Sequence, residues 1–311
     1  MFLYIVKRVT SSIVVLWAVI TITFLLMHAI PGGPFTEEKK LPPPVLANIE
    51  ERYHLHDPLL TQYTDYVKHA AVLDLGPSFK YPGQTVNDII AQSMPVSGQL
   101  GLISLFLALA VGIPAGLVAA WKKNSFVDYG LMVGATLGVS VPSFIAAALL
   151  IQLFAFTWPI LPAAMWKGPM YVIMPAIALA IQPMAFIMRL TRSSVMDALS
   201  QDYIRTARSR GIPMGRILVH HALRNALLPV ISYIGPLAAA LLTGSFIVET
   251  LFAIPGLGCY FVTSIYNRDY TVIMGITIFY SVLVISLNLL IDLLYPLLDP
   301  RIRLHEEEKE G

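Results

Sequence analysis

His54, His56 and Asp57 stand within four consecutive positions, and His220 and His221 are adjacent. Imidazoles and carboxylates at such spacing are the raw material of a metal site, but selective sites add cysteine or further carboxylate ligands that neither group has. Histidines in connecting segments are usually only solvated, so no metal site is assigned. The chain contains no G-x-x-x-x-G-K-[ST] phosphate loop, no H-E-x-x-H and no G-x-S-x-G. Nucleotide binding in a backbone-amide cradle and the commonest hydrolase chemistries therefore lack their residues. No catalytic residue is assigned, and a lone cysteine, Cys259, excludes an internal disulfide.

A second set of residues is chemically interesting because of what surrounds it. His28, Gln152, Gln182, Glu249, Asn288 and Asp292 lie in or beside long apolar runs. Polar groups there are expensive to bury and tend to face a bundle interior or a wet path. Glu249 and Asp292 fall just past the ends of their runs, where an interfacial carboxylate needs no special role. Gln152 and Gln182 could simply hydrogen-bond between helices. Gln152, Gln182 and Glu249 are kept as candidates for a path lining or an external gate.

The elements that must position these groups follow from composition. The 311 residues are 56% hydrophobic and 13% charged, with a mean hydropathy of +0.69. Soluble domains carry about a quarter charged residues, so the class is membrane. Six stretches free of Asp, Glu, Lys and Arg approach or exceed the roughly 20 residues a helix needs to cross the hydrocarbon. They are 9–30, 97–121, 130–157, 170–188, 226–248 and 271–291. Unbroken apolar runs exclude the alternating strands of a barrel, so the expected fold is an all-α membrane protein with about six transmembrane helices. The first run follows Lys7 and Arg8 but ends in Pro31, Gly32 and Gly33, not at a small-x-small cleavage site, and reads as a retained span. Pro114, Pro142, Pro175, Pro183 and Pro236 invite kinks, although proline is common in membrane helices.

Orientation follows from the basic residues. Segments 1–8, 122–129, 189–225 and 292–311 hold fourteen Lys and Arg, against Lys167 and Arg268 in the opposite short loops. Positive charge stays inside, so both termini are expected in the cytoplasm. Segment 31–96 then lies outside and reads as a small folded insertion. Asp57 is its expected N-cap, Pro58 its first helical residue, and Leu60, Tyr63, Val67 and Ala71 a helical stripe. Pro42, Pro43 and Pro44 precede a second apolar set at Val45, Ile49 and Tyr53. The cap could close an outer mouth or receive a soluble partner.

Segment 189–225 carries seven arginines. Met196, Leu199, Tyr203 and Ala207 share one helical stripe, Gly211 breaks the helix, and Pro213 can begin another with Met214, Ile217, Leu218, His221 and Ala222 facing one way. Topology alone, or adsorption to anionic lipid, would explain arginines. Neither needs a helix-glycine-helix pattern, which favours a protein docking site.

At this segment the chain resembles a known family. Asp202-Tyr203-Ile204-Arg205-Thr206-Ala207-Arg208-Ser209-Arg210-Gly211, then His221-Ala222-Leu223-Arg224-Asn225-Ala226-Leu227-Leu228-Pro229, resembles the EAA-type cytoplasmic loop of ABC-importer permeases, in their peptide/nickel branch. Arg205-Thr206-Ala207 replaces Glu-Ala-Ala, and Pro229 lies 18 residues after Gly211 instead of 13. Phe24 to Pro34, Gly76-Pro77-Ser78-Phe79-Lys80-Tyr81, Gly244-Ser245 with Glu249, Pro255-Gly256-Leu257-Gly258 and Asp299-Pro300-Arg301-Ile302-Arg303 extend the likeness over essentially the whole chain. Together they are similar to the first membrane subunit of oligopeptide importers.

The resemblance implies a single permease domain, 1–311, in a bacterial inner (plasma) membrane. It also implies that Asp202, Arg205, Ala207, Arg210, Gly211, Pro213 and Arg216 couple the chain to its ATPases. The implied partners are a second homologous permease, two cytoplasmic ATPases and an external peptide-binding protein, with membrane lipid around them and no nucleic acid. No cofactor is expected in this chain, since ATP and Mg would be held by the partner ATPases. The runner-up reading is the same machine importing dipeptides, murein peptides or nickel. A proton-coupled secondary carrier is a different class, disfavoured because no span interior contains a carboxylate.

Overall fold

The computed structural model describes residues 2–29 and 57–298, and every element among them is a helix. In chain order these are α1 (Phe2–Ala29), α2 (Leu59–Ala71), α3 (Val86–Trp121), α4 (Phe126–Ser140) and α5 (Ser143–Ile151), which continues as the π-helix π1 (Gln152–Thr157). Then come α6 (Pro169–Leu199), α7 (Asp202–Ser209), α8 (Met214–Arg216), π2 (Ile217–Ala222), α9 (Leu223–Leu242), α10 (Phe246–Leu251), α11 (Leu257–Asn267) and α12 (Tyr270–Leu298). The expectations for Pro42, Pro43 and Pro44, for Val45, Ile49 and Tyr53, for His54 and His56, and for the side chain of Asp292 fall outside the described residues.

Among the described residues, five helical runs are long and apolar enough to cross a membrane: Val6–Ala29, Val86–Trp121, Pro169–Leu199, Met214–Leu251 and Tyr270–Leu290. A sixth span exists if α4 and α5–π1 count as one, for they are bent by 102°. The bend has a local cause. Val141 precedes a proline, which disfavours helical ψ, and it sits extended at φ −88°, ψ 116°. Pro175 and Pro183 in α6 and Pro229 and Pro236 in α9 leave their helices unbroken.

The chain divides into two compact units, Met1–Val96 with Pro255–Ile285, and Ser97–Ile254 with Ser286–Gly311. In the first, Ile20 of α1, Ala70 of α2, Val86, Ile89 and Ile90 of α3, Leu257 of α11 and Val272 and Ile276 of α12 share one apolar core. Helix α2 docks on α1 through Tyr63, whose hydroxyl lies 2.7 Å from Thr21 Oγ1, and through Gln62, 3.1 Å from His28 Nε2. Its inward face is Tyr63, Tyr66, Val67 and Ala70, not the expected stripe, because Leu60 is 74% exposed. The helix also begins one residue late. Pro58, at ψ 137°, is the N-cap, and no side chain caps the end.

Segment 72–85 returns to the core through a carboxylate. Asp269, fully buried just before α12, accepts the Ser78 hydroxyl, the N–H groups of Phe79 and Lys80 at 3.2 Å, the Thr271 hydroxyl at 2.9 Å and the Val272 N–H at 3.3 Å.

In the second unit α6 is central, with α4, α5 and α9 packed on it. Lipid tails are as apolar as leucine, so helices gain most there by close backbone approach. A Cβ at Gly112 would fall 2.8 Å from the Met184 carbonyl oxygen, and one at Gly116 would fall 2.7 Å from Thr191 Cβ. Gly138 of α4 presses on Ala185, where an added Cβ would stand 2.9 Å away.

Candidate functional site

The loop after α6 has two faces. Met196, Leu199 and Ile212 flank a buried cluster made of Ala120 from α3, Val195 and Ala198 from α6, Ile204 and Ala207 from α7, Ile217, Leu218 and Ala222 from π2, and Ala226 from α9. Helix α7 is short and basic, and holds its place because Ile204 and Ala207 are three apart and share one face. It stops at Gly211, whose φ of +73° suits glycine. The N–H of Gly211 returns to the Arg208 carbonyl at 2.9 Å. Pro213 then serves as the N-cap of α8. At the far side, Asn225 Nδ2 donates to the Tyr203 hydroxyl at 3.0 Å.

Of the residues assigned to coupling, Asp202, Arg205, Arg210, Gly211, Pro213 and Arg216 lie on the exposed face. Ala207 does not: at 7% exposure it belongs to the loop's own core. Arg205 Nη1 reaches Asp202 Oδ1 at 3.4 Å with both side chains largely in the open, a pair worth at most ~1 kcal/mol.

The three path candidates separate. Gln182 lines a cleft of about 520 Å³ with Val139, Ser143, Tyr233, Gly244 and Ser245, and its Nε2 donates weakly to the Val139 carbonyl at 3.4 Å. Among the described residues, no Asp, Glu, Lys, Arg or His lines that cleft. Gln152, exposed at the start of π1, is not part of its lining. Glu249 is fully buried, contrary to the reading of an interfacial carboxylate. It accepts the Ser97 hydroxyl at 2.8 Å and the Ser245 N–H at 3.3 Å. Gly244, at φ +85°, leaves no room for a Cβ against that carboxylate. Glu249 thus holds, from behind, the turn whose front lines the cleft.

Two buried carboxylates escaped the sequence reading. One is Asp269. The other is Asp128 of α4, 2% exposed, which accepts Arg192 Nε at 2.6 Å and Arg192 Nη2 at 2.8 Å and the Asn124 N–H at 2.9 Å. The Ser125-x-x-Asp128 spacing signals a helix start, and Ser125 does cap α4. Among the described residues, no group of three or more His, Cys, Asp or Glu side chains could hold a metal ion.

The fold defines an all-helical, multi-pass membrane protein. The sequence matches the "Binding-protein-dependent transport system inner membrane component" family over residues 112–304 and the corresponding N-terminal family over residues 1–100. The chain belongs to this family, and the permease resemblance read from its motifs is borne out. It is 50% identical to the dipeptide transport system permease protein DppB of Bacillus subtilis, covering 98% of this chain and 99% of the relative. It is 46% identical to the oligopeptide transport system permease protein OppB of Salmonella typhimurium, covering 96% and 99%. A methionine ABC transporter, MetNI, solved in inward-facing conformations, shares the fold at a TM-score of 0.56 and 14% identity, over 68% of this chain and 96% of that one.

Proposed function

We propose that the chain is one of two transmembrane subunits of an ATP-driven importer of oligopeptides and performs no catalysis itself. A homologous second permease completes the path, two cytoplasmic ATPases bind ATP and Mg, and an external binding protein delivers peptide. The observation that carries this reading is the two-faced loop: its inner face is fused to α3, α6 and α9, while its outer face presents Asp202, Arg205, Arg210 and Arg216. A partner pressing on the outer face moves three long helices at once. The cleft beside Gln182 offers neutral hydrogen-bonding groups, Ser143, Tyr233 and Ser245, which suit a peptide backbone whatever its side-chain charges.

In this reading both termini and residue 205 are cytoplasmic, and residue 60 is external. Single-cysteine labelling in a Cys259→Ala background checks it; labelling of position 60 only from the cytoplasmic side overturns it. The functional test is uptake of a labelled pentapeptide into vesicles holding the reconstituted complex. Uptake should require ATP, both ATPases and the binding protein, and the purified chain alone should not bind ATP. Uptake driven by a proton gradient without ATPases would sink the proposal. The 50% identity with a permease named for dipeptides favours one second reading, dipeptide import. Competition of labelled pentapeptide by unlabelled dipeptide separates the two.

A further inference from the structure

The bidentate pair between Asp128 and Arg192 sits where the second unit's helices meet the loop. Arg192 is seven residues before the end of α6, one turn from Val195 of the loop's core. At the same level Gly116 brings α3 against Thr191 and the Arg192 backbone. The loop's core holds Ala120 of α3 and residues of α6 and α9, but no residue of α4. Helix α4 meets α6 further along, through Ala135 with Ala185 and Met188. Beside the loop, the Asp128 carboxylate joins it to α6, and the Asn124 N–H joins it to the turn after α3. A planar guanidinium fork on a carboxylate fixes orientation as well as distance. This pair can therefore carry a rotation of α6 into α4, and through α4 to Val139 at the cleft, where a point charge would let the helices swivel.

We propose that Asp128 and Arg192 are positioning residues for transport, the clamp that makes α4 follow α6 when the loop is driven. The proposal rests on the reading of the loop as the ATPase contact. Its test uses the assembled importer in vesicles and reads peptide delivered per ATP hydrolysed. Asp128→Asn removes the charge, and Arg192→Lys keeps the charge but loses the fork. Both should lower the ratio roughly five- to tenfold, the lower end of ordinary coupling energies. The ATPases should still co-purify and still turn over ATP. A lower permease level with the parent ratio in both variants would mean a merely structural pair and overturns the proposal. Arg192→Lys decides alone if Asp128→Asn does not accumulate, and failure of both to accumulate also counts against the clamp. Failure of the parent complex to move peptide with ATP would instead overturn the function proposed above.

Discussion

Segment 72–85 and loop 200–222 both join longer helices, yet they are fastened by opposite means. The first is drawn in by one buried carboxylate, Asp269, whose acceptor sites gather Ser78, Phe79, Lys80, Thr271 and Val272. The second is fastened by apolar burial of Ile204, Ala207, Ile217 and Leu218, while its charged groups point away. A polar anchor uses up the segment's hydrogen bonds and fixes it in one geometry. An apolar anchor distributes the hold over many weak contacts and leaves the polar rim available to a partner. Mode of attachment thus separates a structural strap from a surface whose charged groups stay exposed.

The largest effect should come from cutting the polar anchor. Asp269→Ala strands several donors at once, with an expected loss of about 3–5 kcal/mol, seen as a lower melting temperature of the detergent-solubilised chain. Asp269→Asn keeps one acceptor and should lose less; an unchanged melting temperature in the alanine variant would break the comparison. In the apolar anchor, Ile204→Ala should cost about 2–4 kcal/mol, spent locally. Trypsin would then cut sooner at Arg205, Arg208 and Arg210 while global melting moves little. Equal shifts in both readouts would mean the loop is as rigidly tied as the strap.

A smaller change tests the turn between the loop's helices. At Gly211 no neighbour lies within 4 Å of an added Cβ, so Gly211→Ala meets only backbone strain of about 1–2 kcal/mol. Asn tolerates this region better, and Gly211→Asn should retain more peptide uptake than Gly211→Ala. The reverse order would show that bulk against a partner, not backbone conformation, decides there. Least affected should be Arg205→Ala. Its exposed pair with Asp202 contributes below ~1 kcal/mol, so permease level and melting should stay at the parent's values with a partial loss of uptake.

What the sequence revealed was local. Apolar runs free of charge give the helices, and residues three or four apart give the loop's inner face at Ile217, Leu218 and Ala222, because both signals lie within one or two turns. What it hid depends on distant partners. Asp128 and Arg192 are 64 positions apart and Ser97 and Glu249 are 152 apart, so burial of these carboxylates has no local signature. The family resemblance places Ala207 at the docking face, and its burial among Ile204, Ile217 and Leu218 depends on partners the local pattern does not name. The prolines show the same limit: Pro142 breaks its helix and Pro175 does not, since the outcome depends on what the neighbouring helices support.

The bend at Pro142 also bears on how the chain is made. At about 1.5 Å per residue, residues 126–140 and 143–157 each reach only ~22 Å, short of a hydrocarbon layer of about 30 Å. Neither arm can settle across the bilayer alone, and among the described residues the backbone at the break bonds locally, from Val141 to Leu137 and from Ala146 to Pro142. The surface against which the first arm closes, at Ala185, emerges from the ribosome only after both arms. Biogenesis should therefore pause with this hairpin lying at the interface until α6 arrives to carry it in. A nascent chain stalled far enough on to release both arms from the ribosome, but not α6, should leave a cysteine at position 150 open to a membrane-impermeant thiol reagent. One stalled far enough on to release α6 should bury it; equal protection at both lengths would mean that the hairpin inserts unaided.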